Sequence, residues 1–190
     1  MTTYNIAIDG PAGAGKSTIA KKAAAKLGFI YVDTGAMYRA MALYCLREGI
    51  DRNDESAVEA ACERMTVSLR YQGGAQQVWL NGEDVSGLIR TEEVGAMTSA
   101  ISVYAPVRQK LLKLQRQLAA KENVIMDGRD IGTCVLPGAQ TKIYLTANSH
   151  VRALRRFKEL KEKGQMCNLE EIEQDIIERD HRDMNRDIAP

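Results

Sequence analysis

The segment NIAIDGPAGAGKST, residues 5–18, decides the fold class, because a short apolar run leads through a glycine-rich loop into the start of a helix. Residues 10–17 fit the pattern G-x-x-x-x-G-K-[ST], with the strand before it and the helix after it that the pattern requires. Small residues let backbone N–H groups turn inward toward phosphate oxygens, and the helix N-terminus adds positive potential. A plain glycine-rich turn would not need Lys16 and Ser17 at these positions. The segment therefore predicts a site for a nucleoside triphosphate.

The rest of the chain indicates a parallel α/β sheet flanked by helices. Strand-type runs, the first of which leads into the glycine-rich loop, alternate with helical patterns. They cover residues 4–9, 29–33, 123–127 and 141–145. Residues 67–72 and 77–82 alternate in period two around Gly73 and Gly74, which predicts a β-hairpin inserted between the helices. Near the C-terminus, Ser149 is expected to cap a basic helix, and Asn168 a last helix.

Composition limits the classes of partner. The 190 residues suit a single domain with a sizeable core, since 45% are hydrophobic. A net charge of +1 gives no global attraction to nucleic acid or to an anionic membrane. No signal peptide is visible, and no apolar run approaches the ~20 residues of a membrane span. The four cysteines form no CxxC pair, so we expect a reduced, cytoplasmic setting without zinc. A monomer is the default expectation.

Polar residues follow two of the predicted core strands. Thr34, Tyr38 and Arg39 come after the second strand, and the DGRD segment, residues 127–130, comes after the third. In parallel α/β sheets the carboxyl ends of the strands open onto the ligand crevice. The basic helix adds Arg152, Arg155 and Arg156, and arginine suits forked binding of phosphate. A second anion site is therefore expected beside the first.

The last predicted helix carries a charged continuation of its apolar face. Ile172, Ile176, Arg179, Asp183 and Arg186 share one stripe at the helical period. The charged members could face a ligand, or they could form ion pairs at a solvated helix end, and the spacing alone leaves both readings open.

The residue types also indicate the acceptor. Many arginines converge, while the two histidines, His150 and His181, lie in highly charged segments and offer no convincing base. A phosphomonoester has a second pKa near ~6, so at neutral pH it is already a nucleophilic dianion. Such an acceptor needs positioning and charge neutralisation more than a base. This favours a nucleoside monophosphate kinase over a hydroxyl kinase or a GTPase.

With GPAGAGKST, DTGAMYR, LNGEDVSGLIRTEEV, APVR, DGRDIGT and ERDHRDMNR in this order, the chain resembles the bacterial cytidylate (CMP/dCMP) kinases over residues 4–190. The resemblance implies in-line transfer of the γ-phosphoryl group of ATP to CMP or dCMP, with Mg²⁺ as cofactor. It implies one P-loop kinase domain, residues 1–190, with an inserted monophosphate-binding lobe at 34–105 and a lid at 150–168. A further strand and helix are expected after RDIAP, and the sequence up to Pro190 does not contain them.

The resemblance also assigns the site residues. ATP would lie on Gly10, Pro11, Ala12, Gly13, Ala14, Gly15, Lys16, Ser17 and Thr18, with Ser17 as Mg²⁺ ligand. The acceptor phosphate would meet Arg39, Arg129 and Arg186, with Thr34 and Tyr38 nearby. The cytosine would meet Ser99, Arg108 and Asp130, and the sugar Arg179 and Asp183. The catalytic set would be Lys16, Arg129, Arg155, Arg156 and Arg186, of which Arg155 and Arg156 belong to the lid. The role of Asp127 is open, either near Mg²⁺ or in orienting Arg129.

The base assignment has a chemical reason. Asp130 would accept a hydrogen bond from the exocyclic amine of cytosine, whereas uracil would present a second acceptor there. Two alternatives are less favoured: another small-molecule P-loop kinase, of uridylate or adenylate type, and a nucleotide-binding regulatory module without turnover.

Overall fold

The computed structural model of the protein describes residues 3–185 and residue 188, which contain seven α-helices and seven strands. The strands are β1 (Asn5–Asp9), β2 (Ile30–Asp33), β3 (Val67–Gln72), β4 (Ala75–Leu80), β5 (Glu83–Asp84), β6 (Val124–Gly128) and β7 (Thr141–Tyr144). The helices are α1 (Lys16–Leu27), α2 (Thr34–Arg47), α3 (Glu55–Arg64), α4 (Glu92–Ile101), α5 (Ala105–Lys121), α6 (Ser149–Glu162) and α7 (Leu169–Met184). A single π-helical turn, Ile131–Val135, follows β6 and is called the π turn below.

A four-stranded parallel sheet in the order β2-β6-β1-β7 forms the centre, as the alternation of strands and helices predicts. Asp9 is in register with Gly128, and Asp33 with Asp127, so the carboxyl ends of three strands lie side by side. The loops that leave these strands therefore begin at one edge of the sheet. This edge is where parallel α/β sheets bind their ligands.

Both faces of the sheet are covered at β1, β2 and β6, which explains why these strands read as apolar runs. The prediction of a core strand was wrong for β7, because this edge strand is largely exposed, with Tyr144 at 69%. Ile6 and Ile8 of β1 pack with α1, while Ala7 joins the larger core on the other face. The larger core includes side chains from α2, α3, α4 and α5 and from the hairpin. Among the described residues, no helix is long and apolar enough to cross a membrane.

The predicted hairpin is confirmed, with Gly73 and Gly74 at positive φ of 58° and 77° in its turn. The short strand β5 extends it to a three-stranded antiparallel sheet. Gln76 of β4 joins this sheet to the central one, because its amide accepts from Asp33 N at 2.8 Å and donates to Asp33 O at 3.3 Å.

The cap predicted for the basic helix was wrong by one residue. Asn148 caps α6, since its side chain accepts from Val151 N at 2.8 Å. Ser149 is the first helical residue, and its hydroxyl donates to Glu173 of α7 at 2.9 Å. Asn168 caps α7 as expected, because its side-chain oxygen accepts from the backbone N–H groups of residues 170 and 171.

Candidate active site

The loop between β1 and α1 is shaped by close backbone contact. At Gly10, with φ of 143°, an added Cβ would lie 1.9 Å from the carbonyl oxygen of Leu145, directly after β7. Gly15 adopts φ of 97° and immediately precedes α1, which begins at Lys16. The N-terminus of α1 therefore opens into the loop, in the arrangement that binds phosphate. The predicted positions 10–18 thus form one continuous loop and first helical turn.

Lys16 is buried inside this loop. Its Nζ donates to Pro11 O at 2.8 Å. The pKa of Lys16 is lowered to about 7, chiefly by burial and next by the positive charge of Arg129. A triphosphate in the loop would supply the negative charge that favours the ammonium form.

Asp127 connects β6 to the phosphate loop. Its carboxylate accepts from the Ser17 hydroxyl at 2.7 Å and from the Tyr31 hydroxyl at 3.0 Å. Burial, followed by repulsion from Asp33, raises the pKa of Asp127. Ser17 and Asp127 thereby present neighbouring hydroxyl and carboxylate oxygens, the donor types that Mg²⁺ takes in nucleotide sites. Of the two roles that the sequence left open for Asp127, this geometry favours the one near Mg²⁺.

A group of cations surrounds the loop. Arg129 follows β6, and its Nε donates to Asp183 of α7 at 3.0 Å. Burial, and then the charge of Arg129, lowers the pKa of Arg179 to about 10. The Nε of Arg179 is buried and has no hydrogen-bond partner among the described residues. Arg179 and Asp183 of the charged stripe on α7 thus lie beside Arg129. For these two residues, the alternative of ion pairs at a solvated helix end does not apply.

Arg39 belongs to the same electrostatic neighbourhood. Burial lowers the pKa of Arg39, and repulsion from Arg90 adds to the effect. Arg39 Nη1 donates to Ile89 O at 3.1 Å, which leaves other donor atoms of its guanidinium for a ligand. Arg186, the third arginine expected at the acceptor phosphate, lies outside the described residues.

Two of the three side chains expected at the cytosine form a buried ion pair. Arg108 of α5 donates through Nη2 to Asp130, and both side chains are 9% exposed. Arg108 Nη1 also donates to Ser102 O at 3.2 Å. The hydroxyl of Ser99, on the last turn of α4, is buried with no hydrogen-bond partner among the described residues. Unpartnered buried polar atoms are uncommon, and a ligand that supplies the partner is one explanation.

Thr34 and Tyr38 lie at the start of α2. The Thr34 hydroxyl donates to Asp127 O at 2.7 Å and is buried. An added Cβ on Gly128 would lie 2.9 Å from this hydroxyl oxygen, so β6 and α2 pack closely here. Tyr38 is half-buried against the main core.

Helix α6 lies over the phosphate loop. Arg155 Nη1 donates to Gly13 O at 3.2 Å, and Arg156 Nη2 donates to Glu92 of α4 at 3.3 Å. Arg152, noted in the sequence but not assigned to the site, is buried, donates to Ala12 O at 3.1 Å and forms an ion pair with Asp180 of α7. The arginines of α6 therefore contact the loop, α4 and α7.

Sequence reasoning missed two residues beside the site. Tyr31 contacts Asp127 as described, and Asp9 accepts backbone N–H groups of the π turn. The one available signal for Asp9 was an ionisable residue at the buried end of a core strand. Tyr31 gave no signal, because an aromatic residue in a strand is ordinary.

The parallel sheet, the phosphate loop with Lys16 and Ser17, and a second arginine-rich site at the same sheet edge define a P-loop phosphotransferase with an anionic acceptor. The family model described as "Cytidylate kinase" matches residues 6–190. Similar curated proteins include the cytidylate kinases of Lactobacillus gasseri (49% identical, covering 97% of this chain and 80% of the relative) and Caldicellulosiruptor saccharolyticus (49%, covering 100% and 84%). That of Citrifermentans bemidjiense is 47% identical and covers 97% and 79%. The chain belongs to the cytidylate kinase family.

Proposed function

We propose that the protein transfers the γ-phosphoryl group of ATP to CMP or dCMP, giving ADP and CDP or dCDP. Family membership over residues 6–190 supports this assignment. The structural observation that carries it is the buried ion pair of Arg108 and Asp130. Asp130 directly follows Arg129, and both follow β6, which pairs with the strand that leads into the phosphate loop. One site then offers separate groups for a base, for its phosphate and for a triphosphate donor.

The chemistry requires two polyanions in line. Arg129, Arg39 and, outside the described residues, Arg186 hold the acceptor phosphate. The lowered pKa values of Lys16, Arg39 and Arg179 reflect cations crowded together and withdrawn from water, an environment that an anionic ligand relieves. Because the acceptor is already an oxyanion at neutral pH, no general base is needed.

The donor binds on the loop of residues 10–18, with Lys16 directed at its outer phosphates. Ser17 and Asp127 would hold Mg²⁺, directly or through water, and the bound ion would supply neutralisation of charge at the transferring phosphoryl group. Tyr31 orients the Asp127 carboxylate by donating to Oδ1, while Ser17 donates to Oδ2.

Base selection follows from hydrogen-bond complementarity. Asp130 accepts from the exocyclic amine of cytosine, while Arg108 and Ser99 donate to the ring acceptors O2 and N3. Uracil places an oxygen against the Asp130 carboxylate. An unpaired buried acceptor costs about 1–3 kcal/mol, so CMP is preferred to UMP. Arg179 and Asp183 lie near the sugar, and Thr34 and Tyr38 near the acceptor phosphate.

Residues 34–105 form the monophosphate-binding lobe and residues 150–168 the lid. The contact of Arg155 with Gly13 and the ion pair of Arg156 with Glu92 support this division, because the proposed lid contacts both the donor loop and the lobe. Closure excludes water, which would otherwise accept the phosphoryl group, and brings Arg155 and Arg156 to the transferring phosphate.

A coupled ADP-release assay tests the function. The purified protein receives MgATP with CMP, dCMP, UMP or AMP in parallel, and ADP is measured against a control without acceptor. Higher kcat/KM for CMP or dCMP than for UMP and AMP is expected. A preference for UMP or AMP would assign another P-loop kinase activity, and ATP binding without acceptor-dependent turnover would assign a regulatory module.

A further inference from the structure

Asp9 occupies the boundary between the two subsites. It is the last residue of β1, directly before the phosphate loop, and is 8% exposed. Its Oδ1 accepts from Ile131 N at 2.8 Å, and its Oδ2 accepts from Gly132 N at 2.7 Å. Both carboxylate oxygens thus bind the backbone that follows Asp130.

The two N–H groups open the π turn, where no preceding turn can accept their hydrogen bonds. Ile131 and Gly132 are buried, so water is a poor substitute for the carboxylate. The far end of the turn is held separately, because Arg116 donates to the carbonyl oxygens of Cys134 and Val135 at 2.8 and 3.0 Å. Asp9 therefore fixes the end of the π turn that adjoins Asp130.

Gly132 leaves room for this contact. A Cβ at this position would lie 3.3 Å from Asp9 Oδ2 and 3.2 Å from Lys142 Cδ, closer than ordinary side-chain packing. A carboxylate at the end of β1 and a glycine in the π turn are thus matched to each other, 123 residues apart in sequence.

We propose that Asp9 is a positioning residue for acceptor specificity: by binding Ile131 N and Gly132 N, it sets the orientation of Asp130 relative to the phosphate loop. This inference rests on the proposed function, since it assumes that Asp130 selects cytosine. Asp9 acts through the backbone of the π turn. The end of β1 thereby fixes both the phosphate loop, which follows it, and the position of Asp130 at the acceptor base. Small displacements of such groups lower catalysis strongly.

The test is the CMP/UMP ratio of kcat/KM for the Asp9→Asn variant. The amide offers one acceptor and places a donor against the second N–H group, so one of the two contacts is lost. We expect the ratio to fall about 5–10-fold, with the far-ultraviolet circular dichroism and the cooperative thermal transition retained. Asp9 also favours the charged form of Lys16, but a change in donor binding affects both acceptors equally and cancels in the ratio.

Two further variants separate positioning from general damage. Asp54→Asn is the matched control, because Asp54 caps α3 through Ala57 N at 2.9 Å, and it should leave the ratio unchanged. Gly132→Ala perturbs the same contact from the other side and should lower the ratio by a smaller factor. If Asp9→Asn does not fold, the Gly132→Ala result decides.

A double variant tests whether Asp9 acts through Asp130. In an Asp130→Asn background, Asp9→Asn should produce no further fall in the ratio, because the group it positions is already altered. An unchanged ratio in the folded single variant, or fully additive losses in the double variant, would overturn the inference. If the wild-type protein itself shows no preference for CMP, the proposed function has failed, which is a different result.

Discussion

Replacing Asp130 with asparagine should reduce the preference for CMP over UMP. The side chain keeps its volume, and its Oδ1 can still accept from Arg108, which would otherwise be left as a buried cation without its partner. For this reason asparagine is a better probe than alanine. The new amide can also donate to the O4 oxygen of uracil, which the carboxylate repels.

The size of the expected fall in the CMP/UMP ratio follows from the free energy of one buried hydrogen bond. Losing the contact to the cytosine amine, or leaving an acceptor unpaired, corresponds to about 1–3 kcal/mol. At 1.36 kcal/mol per factor of ten, the CMP/UMP ratio of kcat/KM should fall about 5- to 150-fold. The loss should appear mainly as lower kcat/KM for CMP, with UMP unchanged or improved.

The assay is steady-state ADP release at saturating MgATP with each acceptor varied in turn. Asp180→Asn is the matched control, because Asp180 also forms an ion pair with a buried arginine, Arg152. Arg152 in turn donates to Ala12 O of the phosphate loop and does not contact Asp130 in any described hydrogen bond. It should lower activity with both acceptors by the same factor. An unaltered ratio for Asp130→Asn, or an equal change in ratio for Asp180→Asn, would refute the assignment of Asp130 to the base.

Three further predictions concern the phosphate groups. Arg129→Ala should lower kcat/KM at least about 10-fold for CMP, dCMP and UMP alike, since a charge-assisted hydrogen bond contributes about 1.5–3 kcal/mol and phosphate carries no base information; a loss confined to CMP in the same assay would contradict this role. Asp127→Asn should raise the Mg²⁺ concentration for half-maximal activity about 10- to 100-fold, because the proposed metal site loses the carboxylate charge that lies beside Ser17; a Mg²⁺ titration at fixed ATP that matches wild type would contradict it. Lys16, with its pKa lowered to about 7, should be mostly neutral in the free protein at pH 8 and become charged against the triphosphate, so MgATP binding should take up most of a proton. Calorimetry in buffers of different ionisation enthalpy measures this uptake, and its persistence in Lys16→Met would assign the proton to another group.

The sequence predicted the parts of the fold that depend on local chemistry. Glycines at positions 10, 13 and 15 imply a backbone that favours glycine at these three positions, and Gly10 does lie against a backbone carbonyl. The apolar run before Asp127 implies a buried strand, and β6 is the second strand from one edge of the sheet. The hairpin followed from alternation about two glycines. In each case the pattern that carried the prediction lies within one short stretch of the chain, whereas the contact partner of Gly10, Leu145, was not predicted.

What the sequence could not predict depends on strand order. The hydrogen bond between Ser17 and Asp127 joins residues 110 apart, and it exists because β6 pairs directly with β1. The same pairing brings Asp9 against the π turn. The cap of α6 was missed for a different reason: Asn148 and Ser149 can both cap a helix, and the backbone entering the helix decides between them.

The ionisable residues of the site share one property, which is that groups of like charge lie close together. Asp127 is a buried carboxylate beside Asp33, and the buried Lys16 and the half-buried Arg179 are cations beside Arg129, so like charges are held near one another around the loop. Each group is shifted toward its neutral form, which is unfavourable for the free protein and is relieved when opposite charge arrives. A triphosphate, a divalent cation and an acceptor phosphate supply that charge together. The arrangement therefore favours the complex with these charged substrates over the free protein.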